Sequence, residues 1–121
     1  MPRVLIVDDS PTELLRLRQH LEGEGYQITE ASSGDDAIAK AKAQKPDVIV
    51  MDVVMPGMNG FQATRTLTRD PATKDVPIIV CSSKSQETDK LWAKRQGATD
   101  YIVKPFKPSD LSARLKAALK G

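Results

Sequence analysis

Val48-Ile49-Val50-Met51-Asp52, followed at once by Val53-Val54-Met55-Pro56-Gly57, is the stretch around which the chain is organised. Four apolar residues rich in β-branched side chains predict a strand buried on both faces. The run stops on one carboxylate, Asp52, and Pro56-Gly57 closes it with a turn. In open α/β sheets ligands sit outside the carboxyl ends of the strands. A buried strand that ends on an acid therefore places a reactive group. Alone, Asp52 reads equally well as a surface acid that helps a turn, so the other strand ends decide.

Working outward, Arg3-Val4-Leu5-Ile6-Val7 is a second continuous apolar strand, and it ends on Asp8 and Asp9. Ser10-Pro11-Thr12-Glu13 then predicts a capped helix with proline at its first position. Leu14, Leu17 and Leu21 follow at helical spacing, and Gly23 and Gly25 end that helix. Gln27 to Ala31 suits a less buried strand, and Ser33 opens a helix with Ala37, Ile38 and Ala41 on its apolar face. Asn59-Gly60 opens a third helix that runs to about Asp70-Pro71. Val76 to Cys81 is a fourth strand ending on Ser82-Ser83, and a helix from about Ser85 to Gln96 stops at Gly97. Tyr101-Ile102-Val103 is a fifth strand ending on Lys104-Pro105, and Pro108 begins a last amphipathic helix. Strands that alternate with helices imply a parallel sheet with right-handed crossovers and helices on both faces.

The bulk composition excludes several function classes. The 121 residues correspond to one domain, with no output domain expected after the last helix. Eighteen basic and 16 acidic residues give a net charge of +2 and no block of like charge. Only 4% of residues are aromatic, so no nucleic-acid groove of clustered cations and stacking rings is expected. A single cysteine forbids an internal disulfide and fits a reducing, cytoplasmic setting. No apolar run approaches the ~18 residues of a membrane span, and no signal peptide is read.

The strand ends now carry Asp8/Asp9, Asp52, Ser82 and Lys104. Two carboxylates ~4 Å apart repel by ~4 kcal/mol at an effective dielectric of ~20, and protons or a cation must relieve that. An all-oxygen site with few protein ligands suits Mg²⁺, which keeps several waters and bridges to phosphate. Lys104 adds a cation and Ser82 a hydroxyl donor. An aspartate can accept a phosphoryl group as an aspartyl phosphate, and phosphoryl transfer needs mainly positioning and charge neutralisation.

These pieces in this order and spacing resemble the receiver domain of bacterial two-component response regulators along the whole chain. The residues that carry the resemblance are Asp8-Asp9, Asp52 with Met55-Pro56, Asn59-Gly60, Ser82, Tyr101 and Lys104-Pro105. Ser10-Pro11-Thr12-Glu13, Phe61 to Arg65, Gln86 to Lys90 and Lys94 to Ala98 are similar to the stand-alone regulators of type IV pilus twitching motility. The resemblance implies a flavodoxin-like (CheY-like) sandwich whose five-stranded parallel sheet has the order 2-1-3-4-5. It implies Asp52 as the phosphoacceptor and Asp9, Asp52 and the Val54 carbonyl as direct Mg²⁺ ligands, with Asp8 acting through water. Lys104 and Ser82 would hold the phosphoryl group. Ser82 and Tyr101 would form the switch, and Lys104-Pro105 would be a cis peptide, which an X-Pro amide tolerates. The implied partners are a histidine kinase or its phosphotransfer domain, and a downstream protein on the face of the fourth helix, fifth strand and fifth helix. No nucleic acid or membrane is implied, and the chain would be a monomer or weak dimer. Ser82 stands where many relatives have Thr, which keeps the hydroxyl and loses a methyl.

Plainer readings stand beside these. Asp8 and Asp9 could be helix-start acids, Ser82 a turn residue and Tyr101 a packing residue. His20 reads as a solvated helix residue, Cys81 as a small buried hydrophobe, and Lys90, Lys94 and Arg95 as a solvated face. Trp92, on the fourth helix, reads either as core or as part of a partner surface, with the second slightly favoured. Among other functions, an Asp-nucleophile phosphatase wants a second acid two residues on, where Val54 stands. A flavin or dinucleotide binder wants a glycine-rich first turn, and Asp8-Asp9-Ser10-Pro11 has no glycine. A phosphate sink, or a docking receiver that is never phosphorylated, remains compatible with the residues.

Overall fold

The computed structural model describes residues 1–120. Its elements alternate: β1 (Arg3–Val7), α1 (Pro11–Gly23), β2 (Gln27–Ala31), α2 (Gly34–Ala43), β3 (Val48–Asp52), α3 (Gly60–Arg69), β4 (Ile78–Ser82), α4 (Glu87–Arg95), β5 (Asp100–Val103) and α5 (Pro108–Lys120). The strands form one parallel sheet of order β2-β1-β3-β4-β5. The order 2-1-3-4-5 is the expected one.

Alternation along each strand divides the core in two. Val4, Ile6, Val48, Val50, Ile79, Cys81 and Ile102 face α1 and α5, meeting Leu14, Leu21, Leu111 and Leu115. Leu5, Val7, Ile49, Met51, Ile78 and Val80 face the other way, toward Ala37, Ala41, Ala63, Leu67 and Ala93 of α2, α3 and α4. β1, β3 and β4 are covered on both faces, so their sequences run apolar without a polar break.

The helix starts follow the capping logic. Ser10 accepts the Glu13 N–H, Ser33 accepts that of Asp36, and Asn59 forms a full capping box with Gln62. Two boundaries differ from the sequence reading. β4 begins at Ile78 and takes in Ser82. Pro77 has no N–H for the ladder, although its carbonyl accepts the Ile49 N–H at 3.0 Å. α4 is shorter at both ends than Ser85–Gln96, and Gln86 at its start offers no side-chain cap.

His20 is a correction. It is not a solvated residue: its Nε2 lies 2.9 Å from Ser112 Oγ on α5, and Ser112 Oγ is 2.5 Å from Glu24 Oε1 and 3.0 Å from the Pro108 carbonyl. Ser112 is buried. This cluster fastens the end of α1 to the second turn of α5. Nothing in a local pattern signals it, because its two halves are 92 residues apart.

Candidate functional site

The sheet register builds the site. β1 and β3 run in register from Val4↔Val48 to Val7↔Met51, so Asp8 and Asp52 are carried to neighbouring places at the next step. Asp52 itself pairs with Cys81, and Cys81 pairs with Ile102. Asp8, Asp52 and Lys104 thus continue the alternation of Ile6, Val50 and Ile102 and leave the sheet on the α1/α5 side. Lys104 is held at the end of β5 by its N–H, which donates to the Ser82 carbonyl at 2.8 Å.

The Lys104 ammonium bridges two acids. Nζ donates to Asp8 Oδ2 at 3.1 Å and to Asp52 Oδ1 at 3.2 Å. Asp8 also accepts the Ser10 N–H at 2.9 Å, at the start of α1. Asp8 and Asp52 are buried, whereas Asp9 is exposed at the rim. One carboxylate oxygen from each of Asp8, Asp9 and Asp52 lies within 4.8 Å of the others.

The charges do not balance. Three carboxylates face one ammonium, and the titration of the group reflects it. Burial pushes the Asp52 carboxyl above the usual carboxylate range and the Asp8 charge adds to the push, while Lys104 pulls it back only in part. Burial alone would lower Lys104, but Asp52 and Asp8 more than offset it and hold the ammonium above its ordinary value. A cluster with only oxygen donors, an excess of negative charge and one acid at the solvent edge fits a small hard cation such as Mg²⁺. Asp8, Asp9 and Asp52 are the side chains that could hold it.

Ser82 and Tyr101 leave their strands on the opposite face. Tyr101 pairs with Val80 and packs against the α2/α3/α4 core. Ser82 is buried, and its Oγ accepts the Lys84 N–H at 3.1 Å. The Tyr101 hydroxyl donates to the Lys84 carbonyl at 2.7 Å. One residue of the β4–α4 loop is therefore tied by its amide to Ser82 and by its carbonyl to Tyr101. Burial raises the Tyr101 phenol, with the Ser82 hydroxyl opposing. The Lys104–Pro105 peptide is cis.

The sequence-predicted set divides three ways. Asp8, Asp52 and Lys104 are in direct contact, Asp9 stands beside them, and Ser82 and Tyr101 meet through Lys84. Val54 occupies the loop after β3 with its side chain exposed. Cys81 is buried as expected, and burial pushes its thiol up to about 12, so it supplies no nucleophile. Trp92 is half exposed on α4, beside the exposed Leu91. Lys84 takes part through main-chain atoms that no side-chain pattern reveals.

Comparison with known proteins agrees with this geometry. Residues 4–116 match the response regulator receiver domain family. The chain is 53% identical over 121 residues to protein PilH of Pseudomonas aeruginosa, covering all of both chains. It is 37% identical over 118 residues to the alkaline phosphatase synthesis transcriptional regulatory protein PhoP of Bacillus subtilis, of which it spans 48%. Among solved structures, the Vibrio cholerae chemotaxis protein CheY4 superposes with a TM-score of 0.93 at 35% identity, covering 98% of this chain and 99% of that one. Built on the CheY-like sheet order, with its acids and its lysine gathered at the strand ends, the chain belongs to the response regulator receiver domain family.

Proposed function

We propose that the chain is a phosphorylation-dependent signalling protein in which Asp52 accepts a phosphoryl group in a Mg²⁺-dependent reaction. The observation that carries this reading is the Lys104 ammonium bridging Asp8 and Asp52 in a cluster that still holds excess negative charge. A carboxylate oxygen of Asp52 forms a bond to phosphorus as the bond to the donor nitrogen breaks. With a phosphohistidine of a kinase or phosphotransfer domain as the donor, its ring nitrogen keeps that electron pair and leaves. Lys104 then exchanges a carboxylate partner for a phosphoryl oxygen, and Ser82 donates its hydroxyl to another. Asp9, Asp52 and the Val54 carbonyl, with Asp8 through water, would hold Mg²⁺, which would supply positive charge against the incoming phosphoryl group. Phosphorylation adds up to about two negative charges.

The consequence would travel through Lys84. When Ser82 turns toward the phosphoryl group, its hold on the Lys84 amide ends, and the Lys84 carbonyl that anchors Tyr101 is freed to move. This changes the surface of α4, β5 and α5, where a downstream protein would bind. The full-length identity to PilH and the similarity to pilus regulators support a role in twitching motility in the cytoplasm. Among the described residues no helix is long and apolar enough to cross a membrane. A groove of about 370 Å³ between α1 and α5, with Leu17, Phe106 and Leu111 on its walls, opens beside Lys104 and is where a donor protein would approach.

The test is intact mass after incubation with acetyl phosphate and Mg²⁺, with Asp52→Asn and a chelated sample run in parallel. A labile gain of one phosphoryl group, absent from both controls, is expected. No gain in the folded, unsubstituted protein would overturn the reading in favour of a docking receiver.

A further inference from the structure

Gly34 and Gly60 both start helices, and neither has a positive φ. Their backbone conformations therefore admit any residue. What they require is space. A Cβ on Gly60 would be driven into the Asp52 carbonyl oxygen and would lie 2.8 Å from Val53 Cα. The Gly60 N–H also donates to the Val53 carbonyl at 2.9 Å. A Cβ on Gly34 would lie 2.9 Å from the Met58 carbonyl oxygen and 3.1 Å from Met58 Cβ. The two contacts fall on opposite ends of one segment, residues 53–59, which joins β3 to α3.

That segment contains Val54, whose carbonyl the metal-dependent reading takes as a ligand. Val54 itself is 60% exposed, so its side chain fixes nothing. Its height above the sheet is set by the buried Val53 and Met55 on either side, by the Gly60 contact at the near end and by the Gly34 contact at the far end. We infer that Gly60 and Gly34 are positioning residues: two seats without side chains that hold the 53–59 segment at the height its backbone needs to share a cation with Asp9 and Asp52. The inference rests on the metal-dependent reading above and adds residues that touch neither the cation nor the phosphoryl group. Their separation from ordinary packing is testable, because a packing glycine alters stability and leaves cation affinity alone.

The experiment compares Gly60→Ala, Gly34→Ala and Gly23→Ala. Gly23 is the control, since a Cβ there would meet nothing within 4 Å. Mg²⁺ affinity is read by calorimetry on the unphosphorylated protein, and urea midpoints are read in chelator. Gly34→Ala is expected to weaken Mg²⁺ binding roughly tenfold, the effect of disturbing a ligand's support. Gly60→Ala, which displaces the phosphoacceptor's own peptide, is expected to weaken it roughly a hundredfold. Gly23→Ala should stay within about twofold. Gly34→Ala that folds and binds Mg²⁺ within twofold of the unsubstituted chain overturns the inference, whatever its urea midpoint. Loss of fold in both Gly34→Ala and Gly60→Ala makes them packing residues and also overturns it. If the unsubstituted protein binds no Mg²⁺, the metal-dependent reading itself fails, a result distinct from either.

Discussion

Two polar clusters lie on the α1/α5 side of the sheet, and they are built to opposite rules. At the strand ends Lys104 joins Asp8 and Asp52 across 96 and 52 residues of sequence. Between α1 and α5, Ser112 joins His20 and Glu24 across 92 and 88. Both tie distant parts of the chain. The second is closed, because the Ser112 hydroxyl meets His20, Glu24 and the Pro108 carbonyl together. The first is open, with three acids against one ammonium and with the Asp52 carboxyl pushed up by burial and by Asp8. A closed cluster fastens two helices. An open one has an appetite for a cation, and its excess charge is a standing cost to the fold.

The sharpest way to break this contrast is Lys104→Met. It leaves Asp8 and Asp52 buried without their cation, and a loss of about 3 kcal/mol is expected in urea unfolding at neutral pH with chelator present. The loss should shrink as pH falls and the acids take up protons. A loss no larger than that of Ser112→Ala would erase the distinction between the clusters. Next in size is Mg²⁺ itself. At about a hundred times its dissociation constant it should raise unfolding free energy by about 2.7 kcal/mol. Asp9→Asn should lose most of that gain, while Ser112→Ala should keep all of it. Ser112→Ala alone is expected to cost about 1 kcal/mol, the net worth of an ordinary hydrogen bond, with Mg²⁺ affinity unchanged by calorimetry.

The finest distinction is one of sign. A carboxyl whose folded-state pKa is raised binds its proton more tightly in the folded protein than in the unfolded one. Its ionised form therefore costs stability above the folded pKa, and that cost fades as pH falls through the folded pKa toward the unfolded value. In chelator, Asp52→Asn should have a higher Tm than the unsubstituted chain at neutral pH, and the two curves should converge in acid. A lower Tm for Asp52→Asn at neutral pH would mean that Lys104 outweighs burial at this position.

The open cluster was legible in the sequence and the closed one was not. Asp8 and Asp52 follow buried apolar runs, so the strand pattern that fixes Val4 to Val7 and Val48 to Met51 also fixes where they arrive. Lys104 follows from Tyr101 to Val103 in the same way. His20 and Ser112 lie inside helices where no local pattern marks them, and only the packing of α1 on α5 brings them together. The Lys84 relay escaped notice for another reason, because it uses an amide and a carbonyl that every residue possesses. Element boundaries slipped where one atom decided them, as at Pro77, whose missing N–H delays the fourth strand.

The 96-residue span between Lys104 and Asp8 also bears on how the protein is made. Synthesis delivers Asp8, Asp9 and Asp52 well before Lys104, so a chain emerging from the ribosome carries all three acids long before it has their cation. The acids of β1 and β3 then stand at the strand ends with no ammonium between them. A fragment released early, or a chain clipped before β5, therefore carries its acids without the ammonium that bridges them. Placing the lysine after β5 makes neutralisation of the acids wait until β5 has paired with β4.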